Sequence, residues 1–173
     1  MNLTATPTDP GALRTIFATI PQSVVALAGL DATGDPKGLA ASSFTTISLA
    51  PPLVSVAMAH TSTTWPTLRR LPRLGISLLS DAQETVCRAL SAKTPDRFAG
   101  LNWQATANGA VLFDDAVATM ECCLVEELPA GDHTIALLHI EALGSEPDRA
   151  PLVFHGSGFR RLAVPTPAAR TVV

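Results

Sequence analysis

Two short apolar runs constrain this chain most. Residues 24–30 read V-V-A-L-A-G-L and residues 53–59 read L-V-S-V-A-M-A. Neither alternates cleanly between apolar and polar, and both are short, so each reads as a strand buried on both faces. Between them lies G-L-A-A-S-S-F-T-T-I-S-L-A-P-P, residues 38–52, with hydroxyls at Ser42, Ser43, Thr45, Thr46 and Ser48. Hydroxyls lodged between core strands need hydrogen-bond partners, because burying an unpaired polar group is costly. Backbone groups of an ordinary loop would serve. So would the phosphate and polyol of a bound ligand.

The rest of the chain predicts short strands with helices between them. Asp9 is an N-cap, and Pro10 takes the first-turn position that tolerates it. Leu13, Ile16, Phe17 and Ile20 fall on one face of the helix that follows, which Pro21 ends. Residues 31–38 are turn chemistry and suggest a hairpin leading into the hydroxyl-rich stretch. Thr64 is a candidate N-cap for a short helix containing Pro66. Residues 74–79 form another strand, and Ser80 to Gln83 resembles a capping box for a helix over about 81–91. A loop over residues 93–101, K-T-P-D-R-F-A-G-L, carries two cations and an aromatic ring. Further strands are expected at 110–113, 119–124, 134–143 and 151–155, with a glycine-flanked turn at 156–158. This pattern predicts a mainly β, α+β architecture, an antiparallel barrel decorated by helices.

Composition excludes several function classes. At 173 residues the chain suits one domain, with residues 1–8 and 163–173 as flexible tails. A net charge of −3 makes no case for nucleic acid. No apolar run approaches the roughly 18 residues of a membrane span, and no signal peptide is visible. Cys87, Cys122 and Cys123 show neither a disulfide framework nor C-x-x-C spacing, and His60, His133, His139 and His155 show no short paired spacing. No metal site is expected. Free thiols point to a reducing, cytoplasmic setting. Low charge and high apolar content point to surface covered by a partner subunit.

Three segments share a preference for anions. They are the hydroxyl-rich stretch, the Ser62, Thr63 and Thr64 row at a helix start, and Lys93 with Arg97. Each also has an ordinary structural reading as a cap, a turn or solvated surface. His133, in A-G-D-H-T before a long strand, is either a turn histidine or a contact for a phosphate or a moving proton. His139, inside an apolar strand, reads as a core or interface residue. No dinucleotide-binding glycine fingerprint, P-loop or nucleophile elbow occurs, and no carboxylate pair forms an acid and base.

Taken in order, G-L-A-A-S-S-F-T-T-I-S-L-A-P-P, S-T-T-W-P, K-T-P-D-R-F-A-G-L, A-G-D-H and P-L-V-F-H-G-S-G-F-R-R-L resemble the flavin reductase-like family over about residues 16–162. That resemblance implies a split β-barrel of Greek-key type and a homodimer with flavin near the subunit interface. It implies hydride transfer from NADH or NADPH to FMN or FAD, and a partner monooxygenase that takes up the reduced flavin. By position it assigns Ala41, Ser42, Ser43 and Phe44 to the ribityl-phosphate arm, with Leu39 among the cofactor contacts and Ser48 offering backbone groups to the ring. Ser62, Thr63 and Thr64 fall on the phosphate side, and Lys93, Arg97 and Phe98 close over the phosphate or an adenylate. His133 meets the nicotinamide nucleotide, and Phe159 packs near the ring face. The chain departs from many relatives in carrying His60 for asparagine, Phe159 for tyrosine, and no arginine in its H-G-S-G-F loop. A flavin held as a fixed cofactor for another small molecule, or a flavin- or haem-binding module without turnover, are the alternatives. FMN against FAD and NADH against NADPH stay open.

Overall fold

A computed structural model describes residues 3–94 and 96–162. The elements in chain order are α1 (Pro10–Phe17), β1 (Gln22–Ser23), β2 (Val25–Leu30), β3 (Pro36–Ala41), β4 (Thr45–Leu49), β5 (Pro52–Ala59), α2 (Trp65–Leu68), β6 (Leu74–Leu78), α3 (Glu84–Ser91), β7 (Trp103–Ala105), β8 (Val111–Phe113), β9 (Ala118–Ala130), β10 (His133–Ser145), β11 (Val153–His155) and β12 (Gly158–Arg160). Seven strands form one antiparallel sheet in the order β3-β2-β6-β9-β10-β5-β4. Its two edge strands, β3 and β4, are not paired with each other, so the barrel is open there. Two smaller units, β1-β11-β12 and β7-β8, lie beside it. The expected antiparallel split barrel with short helices is the fold observed.

Strand β2 explains the first apolar run. Val25 and Leu27 enter one core with Val54, Val56, Leu74, Ile76, Cys122 and Leu138. Val24, Ala26 and Ala28 enter a second core with Leu79, Val86, Leu90, Phe98, Val111, Phe113 and Leu152. Successive residues of a strand point to opposite faces, so a strand covered on both sides must be apolar throughout. Burial of Cys122 in the first core pushes its thiol up to about 12. The β2–β3 turn is organised by Asp31. Its Oδ1 accepts from the Thr33 hydroxyl and from the backbone N–H groups of Thr33 and Asp35, and Lys37 Nζ is 3.2 Å from Oδ2. These bonds, the Thr33 hydroxyl first, hold the Asp31 carboxyl well below the usual range.

Several local expectations change. The hydroxyl-rich stretch does not lie between core strands: its second half is the edge strand β4, where Thr45, Thr46, Ile47 and Leu49 are exposed. In α1, Asp9 caps as predicted, accepting from the Gly11 and Ala12 N–H groups at 3.1 and 3.0 Å. The helix buries none of its residues, however, and Ile16, Phe17 and the following Ile20 are 54%, 59% and 55% exposed. The capping box is half made. Gln83 Oε1 accepts from the Ser80 N–H at 2.9 Å, but the Ser80 hydroxyl also turns to Gln83, and α3 begins only at Glu84. The strand expected at 119–124 is part of the much longer β9, because its exposed half carries charged residues that break the apolar pattern. β7 escapes prediction because W-Q-A is too short and too polar to show a period.

β6 and β8 cross at close quarters. A Cβ at Gly75 would lie 2.0 Å from the Val111 carbonyl oxygen, a backbone atom that cannot swing aside. Gly75→Ala should therefore destabilise the chain by about 1–3 kcal/mol or more through overpacking. A urea midpoint equal to that of the parent chain would show that the two strands separate freely.

Candidate functional site

The ends of β3, β5 and β10 border a groove of about 940 Å³. One wall is Leu39, Ala40 and Ala41 of β3 with Ser42 and Ser43 of the following loop. A second is the end of β5, Ala57 to Ala59, continuing into Thr61, Ser62, Thr63 and Thr64. The third is the end of α3 with Lys93, Thr94 and Arg97 of the next loop, and His133 stands at the margin. Ten of the fourteen residues assigned by sequence thus meet here: Leu39, Ala41, Ser42, Ser43, Ser62, Thr63, Thr64, Lys93, Arg97 and His133. No aspartate or glutamate lines the groove among the described residues. Two cations and a row of hydroxyls without a carboxylate favour an anionic ligand.

Arg97 joins the walls. Its Nη1 donates to Thr64 Oγ1 at 3.0 Å and to the carbonyls of Gly38 and Leu90 at 3.4 Å. It thereby ties β3, α3 and the approach to α2 together. Only Nη1 makes these bonds, and the other guanidinium N–H groups have no partner among the described residues. The loop is set from both sides of this arginine. Asp96 Oδ1 accepts from the Phe98 and Ala99 N–H groups at 3.0 Å each, an Asx turn. Phe98 is buried, stacked at 5.8 Å on Phe113 and edge-on at 6.0 Å to Trp103. Its ring tip sits over Gly38, where a Cβ would come within 2.8 Å of it.

The opposite wall rests on α2. Trp65 and Leu68 are buried, and the Trp65 indole donates to Glu127 Oε1 at 2.9 Å, a carboxylate that also pairs with Arg69. Thr64 holds the N-cap position the sequence suggested, but its side chain makes no capping bond. Ser62 Oγ accepts from the Trp65 N–H at 3.1 Å, while the Thr64 hydroxyl is taken by Arg97. With that N–H satisfied and α2 only one turn long, the helix start adds little to anion binding. His133 opens β10 opposite Ala59, and its Nδ1 is 2.7 Å from Asp132 Oδ1. The hydrogen bond and charge of His133 lower the Asp132 carboxyl. An ionised Asp132 fixes the Nδ1–H tautomer and leaves Nε2 without a partner among the described residues.

Four assigned residues lie off the groove. Phe44 packs against the first core. Ser48 is on the exposed edge strand β4. Phe98 supports the loop and lines an adjoining recess of about 590 Å³ with Lys37, Arg97 and Trp103. Phe159, on β12, packs edge-on to Phe154 with the Arg88 guanidinium 5.2 Å from its ring centroid. It lines a third recess, about 320 Å³, that shares Ala41 and Ser42 with the groove.

Comparison with known proteins decides the family. A family profile described as a flavin reductase like domain matches residues 17–163. The chain belongs to the flavin reductase-like family. A flavin reductase of Pseudomonas putida is 34% identical over 151 residues, covering 87% of this chain and 89% of that protein. The reductase subunit HsaB of a flavin-dependent monooxygenase from Rhodococcus jostii is 29% identical over 85% of this chain and 75% of its own. The NADH:FAD oxidoreductase of Streptomyces globisporus, solved in complex with NAD and FAD fragments, superposes with a TM-score of 0.88. It is 32% identical, with 97% of this chain and 99% of that one covered.

This flavin reductase-like chain offers donors that fit a nucleotide phosphate: the unused N–H groups of Arg97, the Lys93 ammonium, and the Ser42 and Thr63 hydroxyls. The fit does not extend to Ser43. Its hydroxyl both accepts from the Ala57 N–H and donates to the Ala57 carbonyl, each at 3.0 Å, pinning the 42–44 loop to β5. Sequence reasoning missed Ala57, Met58, Ala59, Ala40, Thr61, Leu90, Ser91 and Thr94 in the lining. The first three carry no chemical signal and enter only because β5 ends beside β10. Ser43→Ala should cost about 1–3 kcal/mol of stability by leaving Ala57 backbone groups unpaired. Chemical denaturation reads this, and unchanged stability with weakened flavin binding would make Ser43 a ligand contact instead.

Proposed function

We propose that the groove binds a flavin with its phosphate toward Lys93 and Arg97, and that a nicotinamide nucleotide enters past His133. The chain is an NAD(P)H-dependent flavin oxidoreductase whose reduced product serves a partner flavin-dependent monooxygenase. The observation that carries this reading is a groove with two cations, a hydroxyl row and no lining carboxylate among the described residues. The relative solved with NAD and FAD fragments supports the same pair of ligands. When bound, the nicotinamide supplies a hydride and the flavin accepts it.

The chain's own groups bind and orient. Arg97 has its Nη1 committed to three elements, so its remaining donors meet an anion without first giving up freedom. Lys93 adds charge. Ala40 and Ala41, with Ala57 to Ala59, give an apolar wall against which an aromatic ring system can pack. Alignment of two cofactors, rather than acid–base chemistry, is what such a transfer asks of a protein. The recess at Lys37, Phe98 and Trp103 continues the groove through the shared Thr64, Thr94 and Arg97, leaving space for the adenylate of FAD. Three free cysteines fit a cytoplasmic location, and no helix among the described residues is long and apolar enough to cross a membrane.

The apolar residues exposed on α1 and β4, with Leu49 at 96% exposure, support a homodimer that covers them. Sedimentation velocity at micromolar concentration should give a species of twice the chain mass, and a monomer would overturn this assembly.

Steady-state oxidation of NADH and NADPH with added FMN and FAD tests the activity. Turnover is expected with at least one pairing, and none with any would sink the enzyme. In the same assay, Lys93→Ala with Arg97→Ala should raise the flavin KM by about 10–100-fold, the scale of lost charge-assisted bonds. His133→Ala should raise KM for the nicotinamide donor well above its effect on flavin. Equal effects on both would make His133 a structural residue.

A further inference from the structure

The β9–β10 hairpin bears His133 at one end and a different polar group further along. His139 stands directly opposite Cys123 in the register. The pairing shifts between Ile140 and Ala142, so Glu141 is the extra residue of a β-bulge. Bulges locally disrupt the ladder, and here the Glu141 carboxylate lies beside both neighbours. Cys123 Sγ donates to Glu141 Oε1 at 3.3 Å, and His139 Nδ1 lies 3.3 Å from the same oxygen. One thiol, one imidazole nitrogen and one carboxylate oxygen lie within 4.8 Å of one another.

Ligands held about 2.0–2.3 Å from a tetrahedral zinc ion sit roughly 3.3–3.8 Å from each other. The two contacts at 3.3 Å already have that separation. A sulfur, nitrogen and oxygen set suits a borderline-soft cation and disfavours magnesium or calcium. The geometry points to a three-ligand zinc(II) site at Cys123, His139 and Glu141, with its fourth position left to water. Binding breaks the Cys123 S–H bond and passes the proton to solvent, and no electrons move. The Cys123 S–H now joins the thiol to Glu141, and the metal takes the place of that proton. The Arg73 guanidinium nearby is paired with Glu121, which also accepts from Asn108 at 2.7 Å.

This contradicts the expectation from spacing that no metal is bound. H-x-E at residues 139–141 lacks a second histidine, and Cys123 lies far off in sequence; only the hairpin register joins them. The site is separate from the groove. His139 is six residues beyond His133 on β10, about 20 Å along the strand. It therefore stands or falls independently of the flavin reading.

Cobalt(II) is the probe, titrated into the full-length reduced chain without oxygen. One ion per chain should bind with a thiolate-to-cobalt charge-transfer band in the near ultraviolet, and zinc should displace it. Cys123→Ser should remove the band, while Cys87→Ser leaves it intact. His139→Ala and Glu141→Gln should each weaken binding at least about tenfold, since even outer-shell changes cost that much. Without metal, Cys123→Ser should keep the parent chain's circular dichroism and flavin turnover. No band at saturating cobalt would overturn the site. So would a band that survives Cys123→Ser, or an affinity indifferent to both His139→Ala and Glu141→Gln.

Discussion

Covering β2 on both faces is the constraint from which the rest of the structure follows. Val25 and Leu27 need the barrel interior, and Val24, Ala26 and Ala28 need a second layer. That layer is built from α3, β8 and Phe98, so the chain after α3 must pass close to β3. The passage brings Lys93 and Arg97 to the groove. Hydrophobic coverage and placement of the cations are therefore one event. Phe98 contributes to both, since its ring fills the second core and sits over Gly38 while its neighbour Arg97 bonds to the Gly38 carbonyl.

The groove gains its character from what is missing as well as from what is present. Several cations elsewhere in this chain find carboxylates: Arg69 with Glu127, Arg149 with Asp115, Lys37 with Asp31. Arg97 instead spends one nitrogen on neutral oxygens. A guanidinium held by hydroxyl and carbonyl groups keeps its full charge for a ligand. The Asp132–His133 pair shows the complementary arrangement, an acid placed beside the groove margin to fix a histidine tautomer rather than to face the ligand.

The β9–β10 hairpin is long enough to serve two places. One end abuts β5 at Ala59 and sets His133 on the groove. Further along, Cys123, His139 and the bulge residue Glu141 lie together.

The sequence alone determined the strands with an unmistakable burial pattern, the Asp9 cap, the hairpin at Asp31 and the family, because these rest on local periodicity, capping chemistry and ordered motifs. It also named most of the groove, since Ser62 to Thr64, Lys93, Arg97 and His133 carry chemistry that can be read from side chains. Tertiary structure decided the rest. Ser43 became a strut to Ala57, the Thr64 hydroxyl went to Arg97 although Thr64 keeps the N-cap position, and Ser48 fell on an open edge. The Cys123, His139 and Glu141 group appeared only in three dimensions. Hydrogen bonding is decided by which backbone or side chain arrives within about 3 Å, and register and layer contacts set that distance. Spacing along the chain does not encode it.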